Sequence, residues 1–230
     1  MGWVIFVAGA VLSWGAYGAL LHLGQTQLGN PLKALFSGKN LRHFGVAFVT
    51  STGAWLILDG TIGVFGGHFK KLGTDPTTVN ITVLVAAVVG VAVFPLIGAA
   101  GQKYGRRHVM MALALFNLLP GTVAFALAIG NYTSTPVVVA AAALAIVGGL
   151  AVFAMITAYI MEMFPTEVRS SGYGIAYSLP SVVPAFYPYY MLWMGSTMSY
   201  DYTPLVILAA GAVFLFVGSY ISKDLRHVHL

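Results

Sequence analysis

Apolar residues run along this 230-residue chain in long, nearly uninterrupted stretches, separated by short clusters of charge, glycine, proline and turn-forming residues. The stretches cover residues 2–23, 44–66, 81–100, 109–129, 137–163, 172–194 and 204–221. A bilayer core about 30 Å thick is crossed by roughly 20 apolar residues in helical conformation, so the pattern predicts seven transmembrane helices. The links between them (GQKYGRR, NYTSTP, PTEVRSS, STMSYDY and a longer HFKKLGTDPTTVN) are too short to be soluble domains. The expected division is an N-terminal helix over residues 1–24, a polar connecting segment over 25–43, a six-helix bundle over 44–222 and a tail over 223–230. The first stretch has no basic residue ahead of it and no A-x-A-like site behind it, so it reads as a retained span, not a removed signal peptide.

Composition agrees with an all-α membrane fold. Hydrophobic residues make up 59% of the chain and charged residues 7%, against roughly a quarter charged in soluble domains. Such a surface must meet lipid. The absence of cysteine excludes disulfides and thiolate metal sites. A net charge of +5 spread between apolar spans forms no continuous basic patch, so nucleic acid is not an expected partner; the lipid bilayer is. The basic residues instead report topology. With seven spans, one side collects Lys33, Lys39, Arg42, Lys103, Arg106, Arg107, Arg169, Lys223 and Arg226, and the other only Lys70 and Lys71. The positive-inside rule then predicts a cytoplasmic C-terminus and an external N-terminus.

Within the spans, Gly148, Gly149, Gly172, Gly174 and the run Ala140–Ala143 allow close approach of helix backbones. Pro95, Pro120, Pro180, Pro184 and Pro188 each remove a backbone donor. Three of them fall within 172–194, which is expected to be the bent or moving helix. Asp59 lies deep in the span 44–66 with no basic residue beside it. An ionisable group at that depth costs about 2.5–3.5 kcal/mol on insertion scales. It therefore either binds a proton or a solute donor, or is a neutral or hydrated carboxyl that ties helices together. Glu162 and Arg169 flank the turn at Pro165 and can meet at the membrane surface as a latch between two helices; the alternative is that both are ordinary interface charges. Residues 98–108, GAAGQKYGRRH, combine a tight turn with guanidinium groups able to hold a carboxylate or a helix C-terminus. No phosphate-loop, zinc-spaced histidine or G-x-S-x-G pattern occurs, so no enzyme activity, metal or cofactor is expected. His22 and His68 read as interface residues, His227 and His229 as tail residues, and the N-x-[ST] matches at Asn80 and Asn131 lie too close to the membrane to carry weight.

Two links resemble a known family. GAAGQKYGRR (98–107) is similar to the G-x-x-x-D-R-x-G-R-R loop of the major facilitator superfamily, and EMFPTEVRSSG (162–172) to its E-x-F-P-x-x-x-R-x-x-G link two helices later. The resemblance covers residues 42–226 and implies helices seven to twelve of a twelve-helix transporter. TGAWLILDG (52–60) resembles the seventh helix of proton-coupled phosphate porters, which implies a proton or substrate role for Asp59. The same resemblance implies a cytoplasmic gate built from Gly98, Lys103, Gly105, Arg106, Arg107, Glu162, Pro165, Arg169 and Gly172. The chain departs from the pattern at Gln102, where an aspartate is expected, and lacks an evident lysine in YSLPSVVP (177–184). The expectation is a half-length transporter of the bacterial inner membrane, moving a small polar or anionic solute with protons. It would complete its pathway by pairing with itself or with another half. The alternative is a non-transporting scaffold subunit of a larger membrane complex.

Overall fold

The computed structural model describes residues 35, 36 and 38–222 of the chain. The predicted first span, residues 25–34 and 37 of the polar segment and the tail from 223 lie outside the described residues, as do Lys33, Lys223, Arg226, His22, His227 and His229. Among the described residues every regular element is helical and there is no strand.

Five helices are long and apolar enough to cross a bilayer: α1 (Gly38–Leu72), α2 (Pro76–Tyr104), α3 (Arg106–Gly130), α4 (Thr135–Glu162) and, last in the chain, α8 (Tyr200–Ile221). Local chemistry sets their ends. Gly73, at φ 94°, closes α1 in the left-handed conformation that a glycine adopts without strain. Two residues on, the Asp75 carboxylate accepts from the Thr78 amide at 3.1 Å and Pro76 fills the first helical position, so α2 starts at once. Gly105, at φ 88°, turns α2 into α3. Within α4 the backbone tightens to turns bonded three residues back at residues 152–155 before the α-helix resumes at Ile156.

The stretch predicted as one bent span over 172–194 is instead divided. It forms α5 (Arg169–Ser178), a 3₁₀ turn (Leu179–Ser181), α6 (Val182–Ala185) and α7 (Tyr187–Met194). The prolines account for this: Pro180, Pro184 and Pro188 recur every four residues, each lacking the amide that an α-helix would direct to the carbonyl one turn back.

Packing depends on small residues. Gly53 and Gly60 of α1 face α8, and Gly211 and Gly218 of α8 face α1. A Cβ at Gly211 would lie 2.7 Å from the Ile57 nitrogen, and one at Gly60 would lie 2.7 Å from the Leu208 nitrogen. The two backbones therefore touch, as membrane helices do when van der Waals contact is their main attraction. Helix α2 reverses the pattern of a soluble amphipathic helix. Its buried positions Thr78, Thr82, Ala86 and Gly90 form a small-residue seam repeating every four residues, while Leu84, Val88, Val91 and Leu96 face outward toward lipid.

Two single turns of π-helix interrupt α1 and α3 at mid-span, Asp59–Gly63 and Asn117–Gly121. Between them lies the Gly148–Gly149 pair of α4. Asn117 Nδ2 donates to the Gly148 carbonyl at 3.0 Å, and the Thr61 hydroxyl sits 2.8 Å from where a Gly149 Cβ would be. π-Turns inserted in α-helices mark functional positions more often than chance, and one of them begins with Asp59.

Candidate functional site

The two ends of the bundle differ in chemistry. At one end, the C-termini of α2, α4 and α8 meet the N-termini of α1, α3 and α5. Arg106, opening α3, forms a hydrogen-bonded ion pair with Glu162 at the end of α4. Its neighbour Arg107 donates from Nε to the Ser219 carbonyl at 3.2 Å and from Nη2 to the Tyr220 carbonyl at 2.6 Å. It thus holds the last carbonyls of α8, where the helix dipole is negative. The Arg107 guanidinium also stands 5.8 Å over the Tyr220 ring. His43, on α1, bonds through Nδ1 to the Met163 carbonyl.

The latch expected between Glu162 and Arg169 does not form. Glu162 belongs to Arg106, and Arg169 turns back so that its Nε donates to the Phe164 carbonyl at 3.3 Å. The reason is the path of the chain after Pro165, which runs through the short 3₁₀ turn Thr166–Val168 and gives Arg169 a carbonyl close by. The remaining residues of the two motifs surround this pair. Gly105 supplies the left-handed turn before Arg106, Lys103 lies 5.2 Å over the Tyr104 ring, and a Cβ at Gly172 would meet the Phe164 ring at 2.7 Å. Pro165, with ψ 155°, stops α4. Gly98 has nothing within 4 Å of where its Cβ would be, so no close contact requires glycine there.

At the opposite end, His68 Nε2 bonds to the Asp201 carbonyl at 2.9 Å, Thr74 donates to the Tyr132 carbonyl at 3.0 Å, and the Lys71 ammonium stands 3.7 Å over the Tyr200 ring. The isolated His68 of the sequence is thus a buried tie between α1 and α8.

Asp59 lies between these ends. It opens the π-turn of α1, is half-buried, and its carboxylate has no hydrogen-bond or ion-pair partner among the described residues. The carboxylate lies 3.0 Å from where a Gly63 Cβ would sit, so Gly63 gives it room. Tyr187, at the start of α7, is within electrostatic reach of Asp59. One α-helical turn before Asp59, Trp55 donates its indole N–H to the Tyr177 carbonyl at 2.9 Å, and its ring packs 5.3 Å from Tyr177 and 5.4 Å edge-on to Phe153. Tyr173 stacks on Tyr177 at 5.2 Å. Sequence reasoning missed this aromatic wall and the Asn117–Gly148 bond. Tyr173, Tyr177 and Tyr187 in the proline-broken stretch were the available signal for the wall; the π-turns had none.

Among the described residues no three His, Asp or Glu side chains gather in metal-binding geometry. The site is one carboxylate at mid-span, one helical turn along α1 from an aromatic cluster, with a charged clasp at one end of the bundle.

No solved structure matches the chain. A Haemophilus influenzae protein named for metabolite transport is 29% identical over 171 residues, 71% of this chain and 37% of that protein. The inner membrane metabolite transport protein YhjE of Escherichia coli is 29% identical over 161 residues, 67% of this chain and 35% of that protein. The chain thus spans little more than a third of either relative. The family model for the Major Facilitator Superfamily matches residues 44–228, the whole of the predicted bundle. This multi-pass membrane chain belongs to the Major Facilitator Superfamily, whose members are transporters rather than enzymes.

Proposed function

We propose that the chain forms one six-helix half of a proton-coupled transporter for a small polar metabolite in a bacterial inner membrane. The observation that carries the reading is Asp59: a carboxylate at mid-span that opens a π-turn and has no donor among the described residues. A carboxyl group in that setting can hold a proton and release it when solute arrives. Lys103, Arg106, Arg107, Glu162 and Arg169 lie at the cytoplasmic end in this reading. The Arg106–Glu162 pair and the Arg107 contacts to α8 would then hold that end closed and part when it opens. Alternating access rocks one bundle against another around a midplane site, so a second bundle faces Asp59, supplied by a further copy or another half. The names of the two relatives support metabolite transport and, for the Escherichia coli protein, the inner membrane.

The test is proton movement in reconstituted vesicles enclosing a pH-sensitive dye, with choline, sorbitol and succinate added in turn. The expected result is solute-driven flux that Asp59→Asn abolishes and the lipid-facing Val91→Ala leaves intact. Flux that survives Asp59→Asn rejects the role given to the carboxylate. A chain that is inert in vesicles and purifies in fixed ratio with unrelated subunits is instead a scaffold.

A further inference from the structure

We propose that the solute seated against Asp59 is an organic cation, of the substituted ammonium type, and not an anion. The inference rests on the transporter reading above and deepens it.

Three observations carry it. The first is the distribution of charge over the described spans. Lysine, arginine and histidine occur only near helix ends: Lys39, Arg42 and His43 at one end of α1 and His68, Lys70 and Lys71 at the other, Lys103 at the end of α2, and Arg106, Arg107 and His108 at the start of α3. Arg169 likewise opens α5. Asp59 is the ionisable acid at mid-span. An anion brought there would find no fixed positive charge among the described residues to repay its lost hydration and would be repelled by the carboxylate.

The second is the state of Asp59 itself. Two of the polar side chains nearest it on α1 already have partners: the Thr61 hydroxyl donates to the Ile57 carbonyl at 2.7 Å and the Trp55 indole to the Tyr177 carbonyl at 2.9 Å. The carboxylate has no donor among the described residues, and a cation supplies both the opposite charge and, from an N–H group, the hydrogen bond.

The third is the wall. Trp55, Phe153, Tyr173 and Tyr177 form a chain of ring contacts beginning one helical turn before Asp59 on the same helix, with Tyr187 within electrostatic reach of the carboxylate. Aromatic faces next to a carboxylate attract a cation through the ring quadrupole and take its alkyl or aryl groups without needing hydrogen bonds, the arrangement that recognises quaternary ammonium groups.

The experiment uses two probes of the same shape and opposite charge, tetraphenylphosphonium and tetraphenylborate. Their binding to the purified full chain in detergent is measured by equilibrium dialysis against empty micelles. Tetraphenylphosphonium is expected to bind saturably, with affinity falling about tenfold or more in Asp59→Asn, retained in Asp59→Glu and reduced several-fold in Trp55→Leu. Retention in Asp59→Glu shows that the site still folds. Tetraphenylborate is expected to show no component that depends on Asp59. Phosphonium binding that is absent or unchanged in Asp59→Asn overturns the proposal, and so does borate binding that Asp59→Asn removes. Because binding is read without flux, the two readings separate. Flux dependent on Asp59 and driven by succinate or sorbitol, without phosphonium binding, leaves the transporter standing and removes only the cation; loss of both removes the transporter reading as well.

Discussion

Gly211→Ala probes one of the backbone contacts between α1 and α8. A Cβ at that position would lie 2.7 Å from the Ile57 nitrogen, 2.8 Å from the Gly53 carbonyl oxygen and 2.8 Å from the Leu56 Cβ. Ordinary contact is near 3.5 Å, so α1 and α8 must part by about 0.7 Å to admit one methyl group. Two of the three obstacles are backbone and cannot rotate away. Parting the helices also loosens the contacts at Gly53, Gly60 and Gly218, where a gap of that size forfeits roughly a quarter to a half of the dispersion energy. Overpacking costs about 1–3 kcal/mol, and this site belongs at the upper end because the strain spreads along the whole seam. Alanine recovers roughly 1 kcal/mol of helix propensity over glycine, leaving a net loss of about 2 kcal/mol. The control is Gly66→Ala, in the partner helix α1, where nothing lies within 4 Å of the added carbon. It gains the propensity term and loses nothing. Unfolding in mixed micelles with increasing dodecyl sulfate, followed by far-ultraviolet ellipticity, measures both variants. If Gly211→Ala unfolds at the same detergent fraction as Gly66→Ala, the backbone contact between α1 and α8 is not what holds the bundle, and the packing argument fails.

Other consequences are open to measurement. Arg106→Gln and Glu162→Gln should each weaken the bundle by roughly 1 kcal/mol, because the pair is partly solvated, with side chains 27% and 24% exposed. The double variant should be no worse than either single one, and additive losses in a thermodynamic cycle would show the two groups are independent. Arg107→Lys should not replace Arg107, since one ammonium cannot reproduce the fork that reaches both Ser219 and Tyr220; hydrogen exchange at the end of α8 should rise, and unchanged protection would refute the cap. Replacing Asn117 by leucine removes its bond to the Gly148 carbonyl and should cost about 0.6–1.7 kcal/mol in the same unfolding assay. Single cysteines at Lys103 and Thr166, in a chain that has no cysteine of its own, should react with an impermeant thiol reagent from the same face of the membrane, and one at Asn131 from the opposite face. Labelling of Lys103→Cys and Thr166→Cys from opposite faces would dismantle the bundle topology.

The features legible in the sequence were those that a single helix expresses by itself. Spans over 44–66, 81–100 and 109–129 follow from apolar length alone, and the glycine before Arg106 and the proline after Glu162 marked their turns correctly. What could not be read was partnership across helices. Nothing in EMFPTEVR shows that Glu162 faces α3 instead of its own downstream Arg169, because that choice depends on how α3 and α4 are set side by side. The same limit hid the aromatic wall, whose rings come from α1, α4 and the broken helix. The three prolines of 172–194 announced a disturbance, but their four-residue spacing divides the stretch instead of bending it once. The π-turns at Asp59 and Asn117 were invisible because one inserted residue leaves the apolar pattern of a fully hydrophobic helix unchanged.

The divided stretch over 169–194 also dictates which side of the molecule is turned away from the acyl chains. Hydrocarbon offers no partner to a peptide group released from a regular ladder, so irregular backbone at membrane depth is tolerated only where protein or water covers it. A bundle with α5, α6 and α7 along one flank is therefore incomplete as a lipid-facing cylinder. Whatever shields that flank, whether an aqueous vestibule or a neighbouring protein surface, is as much a part of this protein's folded state as its own helices.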